Sequence, residues 1–130
     1  MRTIWMVEDE ADRVLRQRRT FRARVAELAA PASDVAGAEL IFGELVANAM
    51  RYAAGPVEVR LEVDDGDPPV LTVRDHGPGL RCYPWTPHRD PYAESGRGLG
   101  IVELLARDIA VQWPSDGGTL IRAVLPVTPR

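Results

Sequence analysis

Two polar residues in the segment ELVANAMRY, Glu44 and Asn48, stand four positions apart. On a helix this spacing puts both side chains on one face, at the edge of an apolar arc that includes Leu45. The Asn48 amide can offer a neutral oxygen to Mg²⁺, which usually completes its shell with waters and substrate phosphates. The Glu44 carboxylate can accept a proton from a nucleophile. The alternative is a helix-surface pair bonded to each other or to water.

A second group of residues lies in RDHGPGL, where Asp75 closes a β-like stretch and Gly77 and Gly79 follow. A carboxylate at a strand end can accept a hydrogen bond from an exocyclic amine. Glycines beside it let a flat ring approach the main chain. The alternative is an ordinary Gly-Pro-Gly turn in which Asp75 bonds to its own backbone.

A third group alternates glycines with other residues, Gly96, Arg97, Gly98, Leu99 and Gly100, and leads into an apolar helical pattern. Free N–H groups at a helix N-terminus bind phosphate, and the guanidinium of Arg97 adds positive charge. The dinucleotide fingerprint does not fit, because it has a different glycine spacing and follows a strand. The alternative is a flexible entry to a helix.

A fourth, weaker signal is GGTL, in which Thr119 begins the last β-like stretch. If that strand pairs beside the strand of Asp75, the Thr119 hydroxyl can share the amine or ring contact. The alternative is a threonine present only for its β propensity.

Hydrophobic periodicity predicts the elements that hold these residues. Period-two alternation and helical spacing give the order β-α-α-β-β-loop-α-β-β. The predicted bounds are strand 3–7, helices at about 9–30 and 34–54, strands 57–63 and 70–75, a loop at 76–95, a helix at about 98–109, and strands 109–113 and 119–127. The fold class is therefore α+β, a two-layer sandwich whose mostly antiparallel mixed sheet is covered on one face by about three helices.

Within the first predicted helix, the apolar residues Val14, Phe21, Val25 and Leu28 form one stripe. Six arginines lie between positions 13 and 24 of the same helix. They form either a basic patch or, interleaved with acidic residues, a solvated helix face.

Composition excludes several enzyme classes. All sixteen basic residues are Arg, and no Lys occurs in the 130 residues. A P-loop and an ordinary protein kinase each need a Lys on the nucleotide phosphates. Schiff-base chemistry needs a Lys amine. These classes are therefore ruled out.

The remaining bulk properties predict a single cytoplasmic domain. Cys82 is the only cysteine, so no internal disulfide forms. No apolar run is long enough to span a membrane, and the acidic N-terminal segment does not resemble a signal peptide. The net charge of −3 argues against direct nucleic-acid binding.

Taken together and in this order, ELVANA, DHGPG, GRGLG and GGT resemble the N, G1 and G2 boxes of the GHKL ATPases. The resemblance covers about residues 35–126 and, with the first strand and helix, nearly the whole chain. It implies the Bergerat α/β sandwich, one ATP-binding domain over residues 1–130, and ATP and Mg²⁺ as cofactors.

The resemblance also implies roles for individual residues. Asn48 would coordinate Mg²⁺, Glu44 would act as the base, and Asp75 would contact the adenine amine. Two glycines, Gly77 and Gly79, would shape the base pocket, and residues 80–97 would form the ATP lid. The phosphates would be met by Gly96, Gly98 and Gly100, with Arg97, Leu99 and Thr119 completing the nucleotide site.

Among GHKL branches, the length and boxes look like the stand-alone anti-sigma-factor serine/threonine kinases. Such proteins bind a sigma factor, phosphorylate a small antagonist protein and usually form homodimers. The expected function is thus an Mg-ATP-dependent protein serine/threonine kinase with protein partners. Two alternatives are a non-catalytic ATP-sensing interaction module and a scaffold that binds no nucleotide.

The sequence departs from this branch at two places. Tyr52 stands where many relatives carry His, and the predicted lid is rich in proline and aromatic residues. In the lid, Tyr83 and Trp85 would either touch a partner or pack onto the lid itself.

Overall fold

The computed structural model describes residues 3–52, 55–76 and 97–130. The helices and strands follow one another in the predicted order, except that the first predicted helix is divided in two. The elements are β1 (Thr3–Glu10), α1 (Ala11–Leu15), α2 (Arg18–Leu28), α3 (Val35–Tyr52), β2 (Pro56–Val63), β3 (Val70–Asp75), α4 (Arg97–Leu105), β4 (Asp108–Gln112) and β5 (Thr119–Val124).

The strands form one sheet in the order β1-β2-β3-β5-β4, and every described pair is antiparallel. The α+β class and the predicted β2–β3 hairpin are confirmed. The sheet is not mixed within the described strands. The connection through α4 does return β4 in the direction of β3, but β5 lies between them, so no parallel pair forms.

One face of the sheet is buried under the helices. Along β2 and β3 every second residue is buried, including Val59, Leu61, Leu71 and Val73, while charged residues such as Arg60 occupy the other face. This is the burial that period-two alternation predicts for a half-wet sheet. Helix α3 packs against α1, α2, α4 and β3, so it is the central helix of the second layer.

The first helix differs from the prediction of a single helix over 9–30. Residues Asp9 and Glu10 extend β1, because they pair with Val57 and Pro56 in the ladder. Helix α1 then ends in tight turns, with the Gln17 N–H donating to the Val14 carbonyl at 2.9 Å. A new helix, α2, follows.

The predicted apolar stripe faces the core despite this break. Val14, Phe21 and Val25 are fully buried, and Leu28 is partly buried against the same cluster. The Phe21 ring stacks on Phe42 of α3 with centroids 4.6 Å apart. This contact joins α2 to the helix that carries Glu44 and Asn48.

Two further boundaries differ from the predicted ones. Helix α4 ends at Leu105 rather than near residue 109, because the Arg107 N–H donates to the Val124 carbonyl and the chain enters β4. Strand β5 ends at Val124, close to Pro126, which has no N–H for a ladder. Within the described residues, no helix is both long and apolar enough to cross a bilayer.

Candidate nucleotide-binding site

On the buried face of the sheet, a polar side chain occupies the last buried position of β3 and another the first buried position of β5. Asp75 and Thr119 are directly opposite each other in the β3–β5 pair and are only 4% and 1% exposed. They continue the rows of Val73 and Ile121 and so face the helical layer. The Thr119 N–H donates to Asp75 Oδ1 at 3.2 Å. The pairing of these two strands, on which the predicted role of Thr119 depends, is present.

Gly118 allows this close approach of β5 to β3. Its φ is +82°, and a Cβ atom there would overlap the backbone carbonyl oxygen of Asp75 and lie 3.0 Å from its carbonyl carbon. Glycine is therefore required by both conformation and space. Only a residue without a side chain lets the Asp75 main chain and the Thr119 amide meet in this way.

Helix α3 presents Glu44 and Asn48 one turn apart, as predicted from their spacing. Asn48 is 9% exposed and Glu44 is half-buried. The helix ends at Tyr52, and β2 begins at Pro56, whose neighbour Val57 pairs with Asp75. So short a connection spans at most about 13 Å, at about 3.3 Å per residue. The Asn48 end of α3 and the Asp75 end of β3 therefore lie at the same end of the molecule.

Two buried polar atoms in this region have no hydrogen-bond partner in the part of the chain that the structure describes. They are Asn48 Nδ2 and Thr119 Oγ1. Leaving such a group unpaired costs about 1–3 kcal/mol, so most buried polar groups are satisfied. Thr119 lies opposite the Asp75 carboxylate, which can accept several hydrogen bonds, and Asn48 lies at the same end of the molecule. Together these groups fit a polar ligand carrying both donors and acceptors, such as a nucleotide.

The described residues offer fewer ligands for Mg²⁺ than for the nucleotide itself. The described residues contain no cluster of three or more His, Cys, Asp or Glu side chains that could hold a metal. A cation here would depend on the Asn48 amide oxygen together with the phosphates of the nucleotide. This is the usual way in which Mg²⁺ binds beside a substrate phosphate.

The predicted phosphate-binding segment lies partly in helix α4. Arg97, Gly98, Leu99 and Gly100 form the first turn of this helix, so Arg97 belongs to the helix and not to a preceding lid. First-turn N–H groups have no partners within a helix and are suited to anions. Helix α4 packs on α3, and Gly100 is buried.

Several predicted site residues lie outside the described residues. They are Gly77, Gly79 and Gly96, together with residues 80–96 of the predicted lid. Their assigned roles, like the phosphate contacts of α4, stay predictions.

Sequence reasoning missed the steric requirement at Gly118, for which two consecutive glycines before a strand were the available signal. It also missed a contact outside the buried site, in which His76 Nε2 lies 3.8 Å from Glu8 Oε2 in the exposed row of the edge strand β1. No local pattern indicates that pair, because the two residues are 68 positions apart.

The antiparallel sheet, the single helical layer and the polar residues at one end of both define a GHKL-type sandwich. The sequence profile of the histidine kinase-like ATPase domain matches residues 7–125. Since this match covers most of the chain, the protein belongs to the histidine kinase-like ATPase domain family of GHKL ATPases.

Solved structures with the same fold include two histidine kinases. A mycobacterial sensor histidine kinase, MprB, aligns with a TM-score of 0.56 and 22% identity over 95% of this chain and 100% of the other. The Acinetobacter baumannii histidine kinase AdeS aligns with a TM-score of 0.51 and 20% identity, over 96% of this chain and 68% of the other. These likenesses establish the fold. No curated protein matches the sequence significantly.

Proposed function

We propose that this protein binds Mg-ATP and acts as an anti-sigma-factor-like serine/threonine kinase on a small antagonist protein in the cytoplasm. Nucleotide binding is supported chiefly by three buried polar residues, Asn48, Asp75 and Thr119. Two of them, Asn48 and Thr119, have polar side-chain atoms without a hydrogen-bond partner among the described residues. Membership in an ATPase-domain family supports ATP as the nucleotide.

In this proposal the sheet residues recognise the base. The Asp75 carboxylate, oriented by the Thr119 N–H, accepts a hydrogen bond from the exocyclic amine of adenine. The Thr119 hydroxyl contributes a second polar contact. Guanine carries an oxygen where adenine carries this amine, so the same carboxylate disfavours GTP.

The two helix residues serve the transfer of the γ-phosphoryl group. Asn48 would hold Mg²⁺, and this ion would supply charge neutralisation on the triphosphate. Glu44 takes the proton from a Ser or Thr hydroxyl of the substrate protein, the hydroxyl oxygen bonds to the γ-phosphorus, and ADP leaves. Helix geometry favours a metal-binding role for Asn48 beside a base role for Glu44, because it holds the two side chains one turn apart on one face.

The phospho-acceptor is proposed to be on another protein. The chain contains two histidines. His76 directly follows Asp75 and contacts Glu8, and His88 lies outside the described residues. Neither belongs to a described helix. The histidine-kinase names of the structural neighbours describe those proteins, and serine/threonine transfer is our proposal for this one.

The test incubates the protein with γ-labelled ATP and candidate antagonist proteins encoded beside its gene. We expect transfer to a Ser or Thr by the wild type and a loss of at least about 100-fold in Glu44→Gln, the range attributed to general bases. ATP affinity of Glu44→Gln should stay within about threefold, because the base acts on the acceptor hydroxyl.

Matched variants separate binding from transfer. Asp75→Asn keeps the shape of the side chain but should lower ATP affinity, since it removes an acceptor charge worth about 1.5–3 kcal/mol in such a bond. Asn48→Ala should weaken binding chiefly when Mg²⁺ is present. ATP bound by the wild type without any transfer would instead support an ATP-sensing module that acts through its partners.

A further inference from the structure

An ion pair on the exposed face of the sheet lies on the opposite side of β3 from the candidate site. Arg74 Nη2 contacts both carboxylate oxygens of Asp116, at 2.9 and 3.0 Å. Arg74 precedes Asp75 on β3, so the two side chains leave opposite faces of the same strand. Asp116 belongs to the turn between β4 and β5, which also carries Gly118. The pair therefore ties this turn to the end of β3 that holds the Asp75 carboxylate.

The turn between β4 and β5 contains residues that give its backbone unusual freedom. Gly117 and Gly118 are consecutive and have φ values of +102° and +82°. Glycine loses more conformational entropy on ordering than any other residue. The Gly117 N–H donates to the Pro114 carbonyl at 3.0 Å, which closes the turn on itself. The contact of Asp116 with Arg74 adds a bond to another strand, just before the two glycines, and so limits their freedom.

The position of this turn decides how the Asp75 side chain is oriented. Thr119 follows the turn directly, and its N–H donates to Asp75 Oδ1 at 3.2 Å. Gly118 lies so close to the Asp75 main chain that an added Cβ would overlap the carbonyl oxygen. The turn thus contacts the end of β3 on both faces of the sheet. A displaced turn would separate the Asp75 carboxylate from its Thr119 donor.

We propose that Arg74 and Asp116 are positioning residues for base recognition, and that their ion pair holds the Asp75 carboxylate in the orientation that accepts the exocyclic amine of adenine. The inference rests on the proposed binding of ATP and deepens it. Neither residue touches the nucleotide in this role, because the Arg74 side chain lies on the face away from the helices. A carboxylate that is ordered before binding loses less entropy when the ligand arrives, so the ion pair raises the affinity for adenine.

A second arginine on the same face of the sheet provides a matched comparison. Arg60 of β2 lies 3.5 Å from Glu58 and 3.7 Å from Glu62, and its side chain is 38% exposed, against 25% for Arg74. Both of its contacts stay within β2, so they tie no turn to the candidate site. Arg60→Gln therefore removes comparable ion pairs without affecting the position of Asp75.

The first experiment measures the affinity of each variant for ATP and for purine riboside triphosphate, which lacks the exocyclic amine. Asp116→Asn should bind ATP about threefold to fivefold more weakly, the upper range for a partly exposed ion pair, and the analogue within about twofold of the wild type. Arg74→Gln should behave alike, whereas Arg74→Lys keeps the charge and should recover most of the ATP affinity. Arg60→Gln should leave both affinities unchanged. Equal losses for the two ligands, or no loss for ATP, would overturn the proposal.

The second experiment needs no nucleotide. Hydrogen exchange of the Thr119 N–H, followed by NMR in the free protein, reports on its bond to Asp75, and the Ile121 N–H of the same strand serves as the reference. Relative to this reference, we expect Thr119 exchange to be about threefold to fivefold faster in Asp116→Asn and unchanged in Arg60→Gln. An unchanged Thr119 rate in Asp116→Asn would refute the inference alone. A wild type that binds neither triphosphate would refute the proposed function, and base recognition with it, whatever the exchange rates.

Discussion

Replacing Gly118 by alanine tests whether the close contact of β5 with Asp75 both stabilises the fold and shapes the site. The added Cβ would overlap the Asp75 carbonyl, and the residue would also have to keep a φ of +82°. Gly66, in the turn between β2 and β3, has the same φ of +82° with nothing within 4 Å of the added Cβ. The two substitutions therefore share the conformational penalty and differ in the steric one.

The comparison of the two glycines gives the expected change in the free energy of unfolding for each substitution. A left-handed conformation costs an L-residue about 1–2 kcal/mol, part of which is offset because alanine has less entropy to lose than glycine. Gly66→Ala should thus lower the free energy of unfolding by about 1 kcal/mol. Gly118→Ala should lose a further 1–3 kcal/mol or so, the range for overpacking that must displace backbone.

Urea unfolding and ATP titration of both variants measure the two effects. Displacement of β5 would break the bond from the Thr119 N–H to the Asp75 carboxylate. We therefore expect Gly118→Ala to bind ATP at least about tenfold more weakly, as loss of a hydrogen bond to a charged group predicts. Gly66→Ala should bind ATP normally. Equal stability losses in the two variants would refute the steric argument, and normal ATP binding by Gly118→Ala would refute its link to the site.

Three further predictions concern the site and the helix layer. Thr119→Val should leave the unliganded protein equally stable or up to about 1 kcal/mol more stable, because it removes a buried hydroxyl without a described partner, yet it should weaken ATP binding up to about tenfold. Both effects are read from urea unfolding and calorimetry, and a loss of stability would contradict the account. Asp34→Ala should destabilise the protein by about 1 kcal/mol, because the Asp34 carboxylate accepts the Gly37 N–H at 2.8 Å at the start of α3. Asp34→Asn, which keeps an acceptor, should lose much less in the same thermal or urea assay. Phe42→Ala should lose about 3–5 kcal/mol, since Phe42 is fully buried and stacked on Phe21; a loss below 1 kcal/mol by urea unfolding would show that the stack contributes little.

The sequence alone predicted the elements with strong periodicity. The alternation in β2 and β3 and the stripe of Val14, Phe21 and Val25 reflect burial on one face, which local spacing records directly. The α+β class and the GHKL family also followed from the sequence, because the boxes occur in order on the expected elements. Both are confirmed.

Local patterns failed where a distant strand or a hydrogen bond decided the outcome. The extension of β1 through Asp9 and Glu10 depends on pairing with β2, which is far away in sequence. The end of α4 depends on a bond from Arg107 to Val124. Helix propensity near these residues is a weak signal, and tertiary pairing overrides it.

For the candidate site, residue types and spacings determined what chemistry was available, namely an acid and an amide on one helix face and a carboxylate at a strand end. Only the tertiary structure decided which groups meet. The Asp75–Thr119 contact joins residues 44 positions apart, and the need for Gly118 arises from the backbone of another strand. Such contacts depend on strand order and three-dimensional overlap, and short-range periodicity carries no information about either.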